Sequence, residues 1–204
     1  MITVFDSIAD NLAERGFATA DQFLSQKEVT DILSLEDFKN GRENFKKAGI
    51  GKNHNLQINE AVRGDYIRWV DKNSSPAPLQ KYLDRIHQLI EFLNQTLFLS
   101  LKDHEIHMTI YPSGAYYKRH LDQFKKDDHR KLSLICYLNQ DWTREHGGEL
   151  RMYLPDGPLD ILPIEGRLVC FRSDQIEHEV LPATRDRLSL TGWLLDQMSD
   201  LRHL

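Results

Sequence analysis

Two residues, His120 and Asp122, have types and a spacing that suggest chemistry. Side chains two positions apart on an extended chain project from the same face, so both could bind one metal ion. The motif is short and recurs by chance, and two exposed polar residues at a strand edge would give the same pattern. A metal site therefore requires a further ligand elsewhere in the chain.

His178, in the strand-like run 175–180, is the best candidate for that ligand. Two imidazoles and one carboxylate form the facial triad typical of non-haem Fe(II), which leaves neighbouring coordination positions open. Zinc more often takes three protein ligands and a water molecule in tetrahedral geometry. A four-ligand structural site is disfavoured, because neither cysteine lies near a second thiol or histidine in the sequence. Taken alone, His178 could equally be a histidine of the core.

Arg187, at the start of the last strong predicted strand, is a candidate to bind a carboxylate next to the metal site. Open iron positions serve oxygen activation when an electron donor also binds, and a dicarboxylic 2-oxo acid can chelate the metal through its keto-acid end. Its far carboxylate then suits a guanidinium, which donates two parallel hydrogen bonds. Ser189, Thr191 and Trp193 share the arginine's face, and leucines occupy the opposite one. This division indicates a pocket inside a barrel, although a lone arginine is usually a surface cation.

The C-terminal half of the chain carries the period-two pattern of β-strands. Apolar residues alternate with others over 106–111, and clear turn signals separate the later apolar runs. Many short strands at such spacing predict a sandwich or barrel. The further predicted strands are 116–120, 132–138, 149–154, 159–162, 168–171, 177–181 and 187–195.

The N-terminal half reads as helical support. Predicted helices run from Asp6 or Ser7 to Arg15 and from the capping box at 25–28 to Asn40, with a short strand over 17–23 between them. A strongly amphipathic helix follows 74–78 and extends to Leu97. The irregular, basic run 45–69 predicts a long loop that ends in a strand. We expect one α+β domain over 1–204, mostly β in its core, with support and substrate loop in 1–100 and the metal-binding core in 101–196.

Composition narrows the classes of protein. A net charge of −5 over 204 residues lacks the basic footprint of a nucleic-acid-binding protein. No run of about 18 apolar residues predicts a membrane span, and the N-terminus lacks the pattern of a signal peptide. The two cysteines, Cys136 and Cys170, lie in apolar strand-like runs, as buried thiols of a reducing compartment do. We expect a cytoplasmic protein, and the sequence does not define its oligomeric state.

The set of His120, Asp122, His178 and Arg187, together with several shorter motifs, resembles the pattern of the iron- and 2-oxoglutarate-dependent dioxygenases. Within them the chain is similar to the prolyl 4-hydroxylase branch, near the hypoxia-inducible-factor prolyl hydroxylases and their bacterial relatives. The resemblance covers residues from about 45 to 195. The motifs that carry it are Arg63-Gly64-Asp65 with Trp69, Tyr111-Pro112, Tyr117-x-Arg119-His120-x-Asp122, Tyr137-Leu138-Asn139-x-Asp141-Trp142, Gly147-Gly148-x-Leu150-Arg151, His178-Glu179-Val180 and Arg187 to Trp193.

The resemblance implies a fold and a set of roles. The family fold is a double-stranded β-helix, a jelly-roll barrel buttressed by helices. His120, Asp122 and His178 would bind Fe(II), and no further catalytic residue is implied. The residues expected around 2-oxoglutarate are Arg187, on its distal carboxylate, with Tyr111, Tyr137, Thr191 and Trp193.

The resemblance also implies a substrate region. The segment from Ala48 to Asp65 matches a family loop that folds over the substrate, and Arg63, Trp69 and Tyr117 are expected to contact the substrate with it. Arg130 falls where the family has an arginine that can pair with the loop's acid. We therefore expect an Asp65–Arg130 ion pair that closes the loop.

The implied activity is hydroxylation of a peptidyl proline at C4, coupled to conversion of 2-oxoglutarate and O2 into succinate and CO2. Fe(II) would be the metal, ascorbate the reductant that maintains it, and a cytosolic protein the substrate. Two alternatives remain open: hydroxylation of a free amino acid or small metabolite, and a cupin-like metal-binding sensor without turnover. The accompanying match at Arg187, Tyr137 and Thr191 argues against the sensor.

Overall fold

Two antiparallel sheets form the centre of the computed structural model, which describes residues 3–49, 59, 61–123 and 128–198. The helices are α1 (Val4–Arg15), α2 (Gln26–Leu33), α3 (Glu36–Lys39) and α4 (Ala77–Leu97). The strands are β1 (Phe17–Ala20), β2 (Lys46–Lys47), β3 (Tyr66–Trp69), β4 (Asp103–Tyr111), β5 (Tyr117–His120), β6 (Arg130–Tyr137), β7 (Leu150–Leu154), β8 (Gly157–Ile161), β9 (Leu168–Arg172), β10 (Glu177–Val180) and β11 (Arg187–Leu195). A seven-stranded sheet has the order β1-β9-β6-β11-β4-β3-β2, and a four-stranded sheet has the order β5-β10-β7-β8.

The helices support the outer face of the large sheet. The stripe on α4 that the sequence predicts is buried, at Leu79, Tyr82, Leu83, Ile86, Leu89, Ile90 and Leu93. It belongs to one apolar cluster with Met108, Ile110, Leu190 and Leu194 of the central strands. Burial of each such leucine contributes about 2 kcal/mol relative to an exposed one. The leucines opposite Arg187 therefore anchor β11 to the helices, while the other face of β11 lines the barrel.

The helix predicted from the 25–28 capping box to Asn40 is wrong in its length. The capping box at Ser25 and Glu28 is present, but α2 ends at Leu33 and a separate short helix, α3, begins at Glu36. Ser34 donates its hydroxyl to the carbonyl of Thr30 at 2.8 Å, and Leu35 is extended at φ −67° and ψ 143°. A serine side chain that bonds to the preceding turn competes with the helical backbone pattern. The chain therefore breaks and restarts.

The strand predictions in the C-terminal half are confirmed, with small shifts at the ends. β4 begins at Asp103 rather than at 106, and β6 begins at Arg130 rather than at 132. In the interior, apolar side chains from both sheets form a second cluster that includes Ile135, Phe171 and Met152. The layout is the predicted jelly-roll barrel. Within the described residues, no helix is long and apolar enough to cross a membrane.

Candidate metal centre and co-substrate site

Neighbouring strands of the small sheet bring the two candidate histidine ligands together. β5 pairs antiparallel with β10, and His120 lies directly opposite His178 in that pairing. Asp122 follows His120 just beyond the end of β5. The nearest potential ligand atoms of the three residues all lie within 4.8 Å of one another. The structure thus assembles the three residues that the sequence separates.

The ligand atoms have the spacing that one ion requires. Asp122 Oδ1 lies 3.4 Å from His120 Nε2, and its Oδ2 lies 3.7 Å from His178 Nε2. Two ligands at about 2.1 Å from one ion and at right angles lie about 3 Å apart. Each imidazole turns its Nδ1 to a backbone carbonyl, at 2.6 Å from Lys118 O and 3.2 Å from Ile176 O. An Nδ1–H that donates there leaves the Nε2 lone pair for a metal.

Ser133 and Ser173 orient the carboxylate of Asp122. The Ser133 hydroxyl donates to Asp122 Oδ2 at 2.6 Å and lies 2.9 Å from the hydroxyl of Ser173. Both serines are buried. Neither serine was predicted from the sequence, although Ser133 gives a signal there because it interrupts an apolar run on the inward face of β6. Such outer partners fix the orientation of a metal ligand.

The charges in the triad suit metal binding. Burial opposes ionisation of Asp122, but the neighbouring His178 and His120 and the hydrogen bond from Ser133 outweigh it and lower the pKa of this carboxyl group. Burial lowers the pKa of His178 to about 4, although the nearby carboxylate acts in the opposite direction. Near neutral pH, Asp122 is therefore ionised and His178 is a neutral base. These are the protonation states that metal ligands require.

Arg187 is a buried cation on the inward face of β11, with an exposed fraction of 1%. Its Nε donates to the carbonyl of Gly148 at 2.9 Å, and its Nη2 donates to the hydroxyl of Tyr137 at 3.2 Å. The guanidinium also lies 5.2 Å from the ring centre of Tyr111. No carboxylate within the described ranges forms an ion pair with it. Because an unpaired buried charge is costly, Arg187 fits the far carboxylate of a bound 2-oxo diacid.

The two glycines before β7 allow this arrangement. Gly148 has φ +75°, and a Cβ at this position would lie 2.9 Å from the Cβ of Ala183 and 3.3 Å from the Cδ of Arg187. Gly148 is therefore where the backbone passes close enough to accept the arginine's hydrogen bond. The motif Gly147-Gly148 acquires a physical role as the support for Arg187.

Polar atoms without partners line the interior near Arg187. The hydroxyl oxygens of Thr191 and Ser189 lie 3.0 Å apart on the arginine's face of β11. Thr109 and His107 lie opposite them on β4. The buried atoms Thr109 Oγ1, His107 Nδ1 and Trp193 Nε1 have no hydrogen-bond partner among the described residues. Buried polar atoms are normally satisfied, so unpartnered ones indicate a ligand or water. The set fits a polar co-substrate.

The aromatic side of the interior contains Trp193, Trp69 and His107. The ring of His107 lies 5.6 Å from that of Trp193 and 5.0 Å from that of Trp69. Trp193 pairs across the sheet with Ser133, whose hydroxyl donates to Asp122, so Trp193 lies on the side of the barrel that holds the triad. His107 was missed in the sequence, where it reads as an ordinary alternating strand residue.

The predicted Asp65–Arg130 ion pair is wrong for this structure. Asp65 instead accepts two hydrogen bonds from Arg63, at 2.7 Å from Nε and 2.6 Å from Nη2. Arg130 lies 3.4 Å from Glu105 and stacks over Trp193. Residues two apart on an extended segment share a face, so the Arg63–Asp65 pair forms at little entropic cost. Within the predicted substrate loop, residues 50–58 and 60 lie outside the described residues.

Comparison with known proteins agrees with this site. Residues 106–195 match the family described as the 2OG-Fe(II) oxygenase superfamily. The chain is 30% identical over 201 residues to human prolyl hydroxylase EGLN3, covering 91% of this chain and 80% of that protein. The crystal structure of a Pseudomonas putida prolyl-4-hydroxylase superposes with a TM-score of 0.85 at 38% identity, covering 95% of this chain and 100% of that one.

A second solved relative includes a peptide. A prolyl hydroxylase from Trichoplax adhaerens, in complex with a fragment of a hypoxia-inducible-factor oxygen degradation domain, superposes with a TM-score of 0.82 at 28% identity. That match covers 94% of this chain and 89% of the relative. The protein belongs to the 2OG-Fe(II) oxygenase superfamily, among its prolyl hydroxylases.

Proposed function

We propose that the protein is a peptidyl-proline 4-hydroxylase that uses Fe(II), O2 and 2-oxoglutarate and releases succinate and CO2. The observation that carries the proposal is Arg187, a buried guanidinium without a carboxylate partner in the described chain, in a barrel that also holds the triad. The relatives named as prolyl hydroxylases, one of them with a bound peptide, support proline in a polypeptide as the target.

The proposal assigns a role to each set of residues. His120, Asp122 and His178 would hold Fe(II), and Arg187 would bind the distal carboxylate of 2-oxoglutarate. When bound, the metal and the co-substrate supply the oxidising chemistry, which couples decarboxylation to insertion of one oxygen atom into a C–H bond. The chain's own contribution is to bind and orient these groups and to exclude water from them.

The residues around Arg187 prepare the co-substrate site. Burial raises the pKa of Tyr137 and of Tyr111. Both phenols therefore stay protonated at neutral pH and remain hydrogen-bond donors. We propose that Tyr137 and Thr191 contact the co-substrate carboxylate together with Arg187, and that Tyr111 and Trp193 shape the space between this carboxylate and the metal. Trp69 contributes to the aromatic wall through His107.

Further parts of the proposal concern the setting of the enzyme. We infer that it acts as one domain in the cytoplasm, because Cys136 and Cys170 are free thiols buried in the core and form no disulfide among the described residues. Ascorbate is proposed as the reductant that returns the metal to the ferrous state. The partner is a protein with an accessible proline, and neither nucleic acid nor a membrane is expected to take part.

Mass spectrometry of a cell extract tests the substrate. Extract treated with wild-type protein, Fe(II), 2-oxoglutarate and ascorbate is compared with extract treated with the His178→Ala variant. The proposal predicts polypeptides in which a proline gains one oxygen atom only with the wild type. Oxygen gain on free proline or a small metabolite, without any polypeptide product, would instead support the metabolite hydroxylase. Binding of 2-oxoglutarate without any oxidised product would support the sensor.

A further inference from the structure

A column of stacked side chains connects the segment 62–65 to the metal ligand His120. The guanidinium of Arg63 lies 4.3 Å from the ring centre of Tyr117. The Tyr117 ring stacks on the imidazole of His120, with 3.6 Å between ring centres and 18° between the planes. Asp65 fixes the far end through its two hydrogen bonds to Arg63. Four residues thus form one continuous contact path.

A β-bulge in β5 makes the stack possible. On β10 the partners of this strand are His178 and Val180, two residues apart, whereas on β5 they are His120 and Tyr117, three residues apart. The extra residue turns Tyr117 to the same side as His120, although strict alternation would separate them. Bulges commonly re-aim side chains next to active sites.

The backbone locks the segment onto β5. Gly64 donates to the carbonyl of Tyr116 and Lys118 donates to that of Val62, each at 2.9 Å. Arg63 and Tyr117 form an antiparallel bridge between these bonds. A Cβ on Gly64 would lie 3.1 Å from the Cβ of Ala115, so a larger residue there would push the two segments apart.

The Arg63–Asp65 pair is buried, with exposed side-chain fractions of 14% and 0%. Burial opposes the charge on Arg63, but the hydrogen bonds and charge of Asp65 outweigh it and raise its pKa. A buried ion pair adds little net stability, and its best-supported role is to specify one geometry. Here the geometry that it specifies places the guanidinium of Arg63 over the ring of Tyr117.

Several contacts hold the ring of His120. Its Nδ1 is held by the carbonyl of Lys118, which still allows the ring to tilt about that bond. Tyr117 covers one face of the ring, and His178 lies 4.3 Å away at 55°. His178 is packed edge-on against Phe171, and Asp122 is held by Ser133. The stack on Tyr117 is the matching support for the third ligand.

We propose that Asp65, Arg63 and Tyr117 are positioning residues that orient His120 for the metal. The segment next to the substrate loop therefore sets metal affinity, a role beyond the substrate contact that the sequence predicts. The proposal rests on the metal triad of the proposed function. It requires the ring of Tyr117 but not its hydroxyl, and it requires the planar fork of Arg63, which lysine lacks.

The chain offers a matched control on the same strand. Arg119 lies 3.8 Å from the ring centre of Tyr153 and donates to Glu177 at 2.9 Å. It repeats the arginine–carboxylate–tyrosine arrangement, but its side chain is exposed and projects from the opposite face of the strand to the neighbouring His120. Arg119→Lys therefore reproduces the chemical change of Arg63→Lys without changing a side chain of the column.

The test measures Co(II) binding by titration of its visible absorption bands, without 2-oxoglutarate or peptide. Tyr117→Leu and Arg63→Lys should weaken Co(II) binding about tenfold and alter the band shape, as loss of outer-shell partners does. Tyr117→Phe should match wild type in affinity and spectrum, and so should Arg119→Lys. Circular dichroism checks that each variant folds. If Tyr117→Leu does not fold, the comparison of Arg63→Lys with wild type is the test.

Each outcome separates the two proposals. If Co(II) does not bind the wild type, or binds equally well after His178→Ala, the metal triad and the proposed function fail. If the wild type binds through the triad but Arg63→Lys and Tyr117→Leu match it, only the positioning role fails. A loss in Tyr117→Phe equal to that in Tyr117→Leu would also overturn the positioning role, because it would assign the effect to the hydroxyl.

Discussion

His107 should make the stability of the protein depend on pH in a measurable way. Its side chain lies in the barrel interior with an exposed fraction of 2%, and its Nδ1 has no partner within the described residues. Burial, with the positive charges of Arg63 and Arg130, lowers its pKa to about 3. The folded protein therefore keeps this imidazole neutral well into acid.

The direction of this pH dependence follows from the difference in protons bound by the unfolded and folded states. In the unfolded chain the pKa of a histidine is about 6.5, so at about pH 5 the unfolded state holds a proton that the folded state lacks. The free energy of unfolding therefore falls as pH falls, beginning near the unfolded pKa and continuing down to the folded one. Between about pH 7.5 and about pH 5, one such histidine removes about 2 kcal/mol of stability.

Urea unfolding of the metal-free protein at these two pH values measures the effect. His107→Leu should lose about 2 kcal/mol less between them than wild type does. The comparison uses each variant's own change with pH, so the packing cost of the substitution cancels. Thr109→Val is the control, because it removes a buried polar atom on the same face of β4 without removing a titrating group. An equal pH dependence in His107→Leu and wild type would refute the reasoning.

Three further predictions concern Arg187, Ser133 and Gly192. Arg187→Lys should raise the dissociation constant of 2-oxoglutarate about tenfold or more in equilibrium dialysis with Mn(II)-loaded protein, because an ammonium cannot donate the paired hydrogen bonds; unchanged affinity would contradict the assignment. Ser133→Ala should weaken Co(II) binding about tenfold by releasing Asp122, and affinity equal to wild type would exclude that support. Gly192→Ala should cost about 3 kcal/mol in urea unfolding. The added Cβ would lie 1.9 Å from the carbonyl oxygen of Glu105. Wild-type stability of the variant would show that the two strands can move apart there at no cost.

Alternation along the strands made most of the fold predictable. β4 and β11 have one face towards the helices and one towards the barrel interior, so polar and apolar positions alternate along them. The face of Arg187 could therefore be assigned from the sequence. The break between α2 and α3 was not predictable in the same way. It depends on the hydroxyl of Ser34 bonding to the preceding turn, which the apolar pattern does not record.

The grouping of the three candidate ligands was predictable from the sequence, but the residues that support them were not. His120, Asp122 and His178 follow from residue type, spacing and family resemblance, and the fold brings them together. The column above His120 depends on a β-bulge, and the pairing of Asp65 depends on local geometry around Gly64. Neither changes the composition or the period of the sequence, so a pattern cannot reveal them.

The visible spectrum of the anaerobic Fe(II) protein tests the central claim most directly. A 2-oxo acid that chelates ferrous iron produces a charge-transfer band, and chelation requires the open positions that a three-ligand site leaves. We predict that the band appears when 2-oxoglutarate is added to wild-type protein and is absent from His178→Ala. Absence of the band in the wild type, or an undiminished band in His178→Ala, would contradict the assignment of this site.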